Sequence, residues 1–197
     1  MRNLIRSFCA AALVVLPFNA SADLSGVPSG NYTLDSSHGY ITFTYSHLGF
    51  SNPRVGFNSF DTVLVLDSNN PQNSTVEVTI DASSIDSRVA EFNEHLNGSD
   101  FFNTAEYPTI TFRSTKVEAT GENTFDVTGD LTILGTTKPV TLATTINKAA
   151  NHPMQNVPTV GVSASTRLMR SEWGLGAYVP AVSDEVELSI EVELLSK

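Results

Sequence analysis

Apolar and polar residues alternate along most of this chain after residue 30. Near the C-terminus, Val186, Leu188 and Ile190 alternate with Glu187 and Ser189. A period of two with one polar face is typical of half-buried antiparallel β-strands, and abundant Thr and Val at such positions favour the same assignment. The pattern predicts strands over residues 31–35, 39–47, 54–66, 74–82, 108–118, 123–134, 138–147, 158–168 and 185–195.

Turn-forming residues separate these predicted strands, among them Asn69-Asn70-Pro71 and Asn151-His152-Pro153. Asn and Pro favour turns because they tolerate or fix the backbone angles that a turn requires. Many short strands at regular spacing indicate one all-β domain, a barrel or a sandwich. No repeat or linker marks a second domain, and residues 23–30 look like a flexible lead-in.

One segment departs from the alternation and predicts a short α-helix. Val89, Phe92 and Leu96 are three and four residues apart, which places them on one helical face. We expect Ser87 to cap the start of this helix and Gly98 to end it in the left-handed conformation. Such a helix can close one end of a barrel, with or without a role in binding.

The N-terminus has the layout of a secretory signal peptide. Arg2 and Arg6 precede an apolar run from Phe8 to Phe18, and Ala20-Ser21-Ala22 follows as a small-x-small cleavage pattern. The run is shorter than the roughly 20 residues that a transmembrane helix requires. We therefore expect residues 1–22 to be removed, and residues 23–197 to form a soluble periplasmic domain without stable membrane insertion.

Cysteine content and charge exclude several classes of function. The one cysteine, Cys9, lies in the predicted signal, so disulfides, thiolate zinc sites and cysteine nucleophiles are not expected in the mature chain. The chain has 11 Lys and Arg against 21 Asp and Glu residues. Loss of Arg2 and Arg6 with the signal would take its net charge from −10 to −12. So acidic a chain repels phosphate backbones, and we expect no nucleic-acid partner.

The residues that could carry catalysis or bind a metal form no recognisable constellation. The histidines are His38, His47, His95 and His152, and residues 91–95 read E-x-x-E-H, one histidine short of a zinc-binding pattern. No G-x-S-x-G nucleophile motif and no Gly-rich phosphate loop occurs. We therefore predict no catalytic residues and no metal site.

The apolar residues leave two interpretations of the barrel interior open. An eight-stranded barrel can fill its interior with its own side chains or enclose one small ligand. From the residues alone, a filled interior is the simpler interpretation of the many aromatic side chains.

Several long segments resemble one known family. They are LDSSHGYITFTYSHLGF at 34–50, TVEVTIDASSID at 75–86, HLNGSDFF at 95–102, YPTITFRST at 107–115, LTILGTTKPV at 131–140 and RSEWGL at 170–175. In sequence, order and spacing they resemble the YceI family of secreted β-barrel proteins that bind isoprenoid lipids. The resemblance covers nearly all of the chain after residue 30.

The resemblance implies an extended eight-stranded antiparallel lipocalin-like β-barrel with one short α-helix, enclosing an apolar tunnel. It implies a carrier that sequesters a long-chain isoprenoid, polyprenyl or quinone-like, or another amphiphilic lipid. It also implies a homodimer and no cofactor besides the bound lipid.

Candidate site residues follow from the apolar face of the strands and from the predicted helix. We expect the tunnel to be lined by Phe43, Tyr45, Phe57, Phe92, Leu96, Phe101, Phe102, Ile110, Phe112, Leu131, Ile133 and Trp173. Candidates for binding the lipid head group are His38, Arg54, Arg113 and Arg170, although each arginine could instead pair with a surface carboxylate.

Two alternative functions remain open at this point. One is an enzyme that acts on a lipid in the same tunnel, with His38, His47 or His95 as a base. The other is a structural barrel with a solid core and no ligand.

Overall fold

The computed structural model describes residues 24–197, so the predicted signal peptide and its cleavage after Ala22 lie outside the described residues. Residues 24–197 form ten strands, and every paired strand is antiparallel to its neighbours. The strands are β1 (Gly30–Thr44), β2 (Arg54–Phe57), β3 (Phe60–Leu66), β4 (Thr75–Asp81), β5 (Ile85–Asp86), β6 (Thr109–Ala119), β7 (Thr124–Ile133), β8 (Thr136–Asn151), β9 (Pro158–Met169) and β10 (Glu185–Ser196). The helix α1 (Ala90–Asn97) lies between β5 and β6 in the sequence.

The sheet closes on itself because β1 pairs with β10 as well as with β3. Around the barrel the strand order is β10, β9, β8, β7, β6, β4, β3, β1. The short strands β2 and β5 extend the wall at one end, where β2 pairs with the second half of β1 and β5 pairs with β2. The predicted eight-stranded antiparallel barrel with one short helix is therefore confirmed.

Besides shifts of a few residues at strand ends and the unpredicted β5, two of the predicted strands are divided or joined differently. The predicted strand over 54–66 is divided into β2 and β3, because the backbone N–H groups of Asn58 and Ser59 donate to the carbonyl and hydroxyl oxygens of Ser84. The predicted strands over 31–35 and 39–47 are joined in β1, which accommodates a register shift between Leu34 and Gly39.

The far end of the barrel, opposite α1, is closed by the segment that precedes β1. Leu24 and Val27 are buried, and the side chain of Tyr32 is fully buried with its hydroxyl donating to the carbonyl of Pro28 at 2.7 Å. The expectation of a flexible lead-in over residues 23–30 is therefore wrong for its described part, because apolar side chains anchor it.

The helix forms where the spacing predicts it, but its ends differ. It begins after Val89, and the hydroxyl of Ser87 donates to Asn93 inside the helix instead of capping its start. Gly98 has φ −70° and ψ 173°, which is extended backbone and not the left-handed conformation. The chain turns because the N–H of Phe102 donates back to the carbonyl of Leu96.

Candidate functional site

The barrel encloses an apolar cavity of about 690 Å³ at the end where α1 lies. Cavities of this size hold small-molecule ligands in other proteins. All twelve residues expected to line a tunnel line this cavity: Phe43, Tyr45, Phe57, Phe92, Leu96, Phe101, Phe102, Ile110, Phe112, Leu131, Ile133 and Trp173. Contact of these residues with a ligand stays a prediction.

Strand register explains why these side chains point into the cavity. Phe112 in β6 lies opposite Leu131 in β7, and both side chains are buried. Ile110 is two residues before Phe112 and therefore shares its face of the sheet. The indole N–H of Trp173 donates to the carbonyl of Leu131 at 3.2 Å, which satisfies its polar atom and leaves the rest of the ring as apolar wall.

Aromatic rings form much of the wall near α1. The rings of Phe57 and Phe102 meet edge to face with their centroids 5.7 Å apart. Phe101 stacks on Tyr178 at 6.1 Å, and the imidazole of His95 lies 5.1 Å from the ring of Phe101. These contacts join the segment after the helix to the loop between β9 and β10.

The sequence did not predict part of the cavity lining. Val186, Leu188 and Ile190 of β10 line the cavity, and their alternation in the sequence was a usable signal. Ala181 and Val182 also line it, but their loop has no periodicity. That loop is held by long-range backbone bonds such as the one from the N–H of Leu48 to the carbonyl of Ala181, which a sequence pattern does not reveal.

The cavity reaches the surface at a mixed rim of exposed side chains. We define the rim as Leu48, Arg54, Val89 and Tyr178, all of which line the cavity. The three uncharged members are each more than half exposed. Among residues 24–197, no ion pair involves Arg54, so the rim carries a cation without a carboxylate partner.

Arg170 also lines the cavity, but the loop that follows it uses most of its donors. Its guanidinium donates to the carbonyls of Ser183 at 2.8 Å, Ala177 at 2.9 Å and Val182 at 3.1 Å, and also to that of Leu175. Four of the five guanidinium N–H groups are thus engaged. Burial lowers the pKa of Arg170, which the nearby Asp184 partly opposes.

Burial also raises the pKa of the Tyr45 phenol, so this hydroxyl stays neutral at physiological pH. The cavity wall next to Arg170 therefore offers an uncharged polar group, because Tyr45 keeps its proton.

The other two head-group candidates do not line the cavity. Arg113 follows Phe112 in β6, so it points to the outer face of the barrel, where it pairs with Glu77 at 3.2 Å. His38 lies in the irregular part of β1, with its Nδ1 3.0 Å from a carboxylate oxygen of Asp35. The fold therefore separates Arg113 and His38 from Arg54 and Arg170.

Asp35 and His38 perturb one another at the barrel surface. The hydroxyl of Ser37, and then the imidazole of His38, hold the pKa of Asp35 well below its usual range. The same hydrogen bond to Asp35 raises the pKa of His38. Asp35, His38 and Glu193 also bring three ligand atoms within 4.8 Å of one another, the one such group among residues 24–197. Exposed acidic groups of this kind are common without an ion.

Comparison with known proteins places the chain among described relatives. The family described as "YceI-like domain" matches residues 32–194. A UPF0312 protein of Azotobacter vinelandii is 36% identical over 167 residues, covering 84% of this chain and 86% of that protein. Protein YceI of Escherichia coli O17:K52:H18 is also 36% identical over 167 residues, with the same coverage.

Solved structures share the fold. BcnA of Burkholderia cenocepacia superimposes with a TM-score of 0.74 at 23% identity, covering 81% of this chain and 98% of that chain. A polyisoprenoid binding domain of Saccharophagus degradans superimposes with a TM-score of 0.67 at 14% identity, covering 84% and 98%. Within residues 24–197, no helix has the length and apolar character needed to cross a membrane.

Proposed function

Since the chain belongs to the YceI-like family, we propose that it is a periplasmic carrier that sequesters one long-chain isoprenoid lipid in its barrel. The observation that carries this proposal is the 690 Å³ cavity, whose wall is almost entirely apolar and which reaches the surface at the rim. The polyisoprenoid binding domain of Saccharophagus degradans has the same fold, which supports an isoprenoid as the ligand.

The cavity wall accounts for affinity and the rim for selection of the head group. Each CH₂ group transferred from water to apolar surroundings contributes about 0.8 kcal/mol. A charge-assisted hydrogen bond contributes about 1.5–3 kcal/mol. A tail of many carbons therefore dominates the binding energy. A polar or anionic head would lie at Arg54, since that guanidinium has no ion-pair partner among the described residues.

The side chains around the cavity favour a carrier over an enzyme. Of the three histidines considered as a base, His47 and His95 line the cavity and His38 does not. Nucleophilic catalysis requires a nucleophile within hydrogen-bonding reach of its base. Ser87 is the one serine in the described lining, and its hydroxyl donates to Asn93 and Val89 instead of a histidine.

Native mass spectrometry of the protein purified from a Gram-negative periplasm tests the proposal. We expect the mature chain to begin after Ala22 and to carry the added mass of an apolar ligand, or to acquire it from a long-tailed ubiquinone. Leu188→Trp, which fills the cavity from β10, should abolish this binding. Glu187→Trp places the same side chain on the outer face and should bind as the wild type does.

Failure of the wild type to bind any isoprenoid of any tail length would refute the carrier proposal. Equal binding by Leu188→Trp would show that the lipid lies elsewhere. The mass of the native assembly tests the homodimer in the same experiment.

A further inference from the structure

The barrel contains a second apolar cavity, which we call the lower cavity. The larger cavity described above is then the upper cavity. The lower cavity has a volume of about 130 Å³ and extends toward the turn between β3 and β4. Five side chains line both cavities and so form the boundary between them; we call them the collar. The collar consists of Ile41, Val78, Phe112, Leu142 and Ile190.

Phe112 is the largest member of the collar, and a glycine on the neighbouring strand makes room for it. A Cβ atom added to Gly129 in β7 would lie 2.5 Å from Cζ and 2.8 Å from Cε2 of Phe112. Real Cβ atoms essentially never approach other atoms so closely. The far edge of the Phe112 ring therefore occupies the space that any side chain at position 129 would fill.

The collar is drawn from five different strands. Ile41 belongs to β1, Val78 to β4, Phe112 to β6, Leu142 to β8 and Ile190 to β10. Strand β7 contributes no collar side chain, and at Gly129 the ring from β6 covers it. A layer of inward side chains across a small barrel fills its cross-section, so the collar limits how far a chain can descend.

We infer that Phe112, positioned over Gly129, sets the maximum length of the isoprenoid tail that this protein binds. This inference rests on the proposed lipid carrier. The tail occupies the upper cavity from the rim to the collar, and the lower cavity does not receive it. An isoprene unit beyond that length stays near the rim in water and adds no affinity.

A series of ubiquinones that differ only in their number of isoprene units tests this. Trp173, the one tryptophan of the chain, lines the upper cavity and provides a fluorescence signal that a bound quinone quenches. In the wild type, each added unit that finds apolar space should tighten binding by about tenfold or more. The gain per unit should then fall to a factor near one beyond a certain length.

Two variants separate the collar from general packing. Phe112→Leu keeps an apolar side chain but removes the ring edge, and it should move the limit to longer tails. Val76→Phe fills the lower cavity from β4 without touching the upper one. We expect Val76→Phe to leave the wild-type limit unchanged and to restore that limit when combined with Phe112→Leu.

If Val76→Phe lowered the maximum tail length that gains affinity, the inference would be overturned, because the wild-type tail would then already reach the lower cavity. An unchanged maximum tail length in a folded Phe112→Leu variant would also overturn the inference. Either result leaves the carrier proposal standing. A wild type that binds neither ubiquinones nor polyprenols of any tail length removes the carrier proposal and this inference together.

Discussion

The Nε atom of Arg170 lies 2.8 Å from the carbonyl oxygen of Ser183, and the same guanidinium donates to three further carbonyls of residues 175–182. This loop consists of short turns and one isolated β-bridge, between Val182 and His47. One arginine at the end of β9 therefore holds in place a loop that supplies part of the cavity wall.

Replacement of Arg170 should loosen that loop. We expect Arg170→Ala to lower the free energy of unfolding by at least about 2 kcal/mol, because four carbonyls lose a charged donor. Arg167→Ala is a matched control, since Arg167 is exposed and pairs with Glu185 at 3.6 Å. Arg167→Ala should lower the free energy of unfolding by less than about 1 kcal/mol. Urea denaturation measures both values, and equal costs would contradict the structural role given to Arg170.

Arg54 should select for the lipid head group. We expect Arg54→Ala to weaken binding of a polyprenyl phosphate by about tenfold to a hundredfold, the equivalent of one charge-assisted hydrogen bond. Binding of the neutral polyprenol with the same tail should be unchanged. Arg113→Ala, which removes a cation from the outer face, should affect neither lipid. Equal losses for phosphate and alcohol would place the head group away from Arg54.

The pKa of His38 should lie above its ordinary value near 6.5, because the imidazolium donates to Asp35. Asp35→Asn should lower the His38 pKa, and Glu193→Gln should lower it less, since Glu193 acts only through space. NMR titration of the imidazole protons measures each value. A His38 pKa that Asp35→Asn leaves unchanged would contradict the observed contact.

The same pair predicts how stability depends on pH. The contribution of His38 is complete below the unfolded pKa near 6.5 and is lost as the pH rises through the raised folded value. The contribution of Asp35 is complete above its usual pKa of 3.8 and is lost as the pH falls through the lowered folded value. The destabilisation by Asp35→Asn should therefore be largest between these two unfolded values. A destabilisation that grows above pH 8 would contradict this.

Gly129 should tolerate substitution poorly, because an added Cβ would also lie 2.5 Å from the carbonyl oxygen of Arg113. We expect Gly129→Ala to lower the free energy of unfolding by about 1–3 kcal/mol, as overpacking does. Gly161 in β9 is a matched control, since its added Cβ would meet no atom closer than 3.9 Å. Gly161→Ala should be near neutral, and thermal unfolding compares the two. A neutral Gly129→Ala would contradict the close approach of both the Phe112 ring and the Arg113 carbonyl to this position.

Alternation predicted the barrel wall well because it depends on a local rule. Residues such as Phe112 and Leu131 face inward as their parity requires, and the same rule places Arg113 outside. Adjacent residues of a strand face opposite sides of the sheet, so Phe112 and Arg113 are not both expected at the cavity. Parity alone was enough to separate these two residues.

Features that depend on distant contacts were not predictable in this way. The break after β2 arises because Ser84, about 25 residues later, takes the N–H groups of Asn58 and Ser59. The burial of Leu24 likewise depends on the closed far end of the barrel, and its Gly- and Pro-containing surroundings resemble an ordinary linker. The cavity itself follows from the volumes of side chains on eight strands, which no single stretch of sequence specifies.

The buried side chains of Leu24 and Val27, which precede Tyr32 in the sequence, bear on how the protein should be prepared. A recombinant version trimmed to begin at Gly30 would open the base of the barrel to water. It would also lack the Pro28 carbonyl, which accepts a hydrogen bond from the Tyr32 hydroxyl. The six residues 24–29 therefore belong to the folded domain and should be kept in any shortened version of the protein.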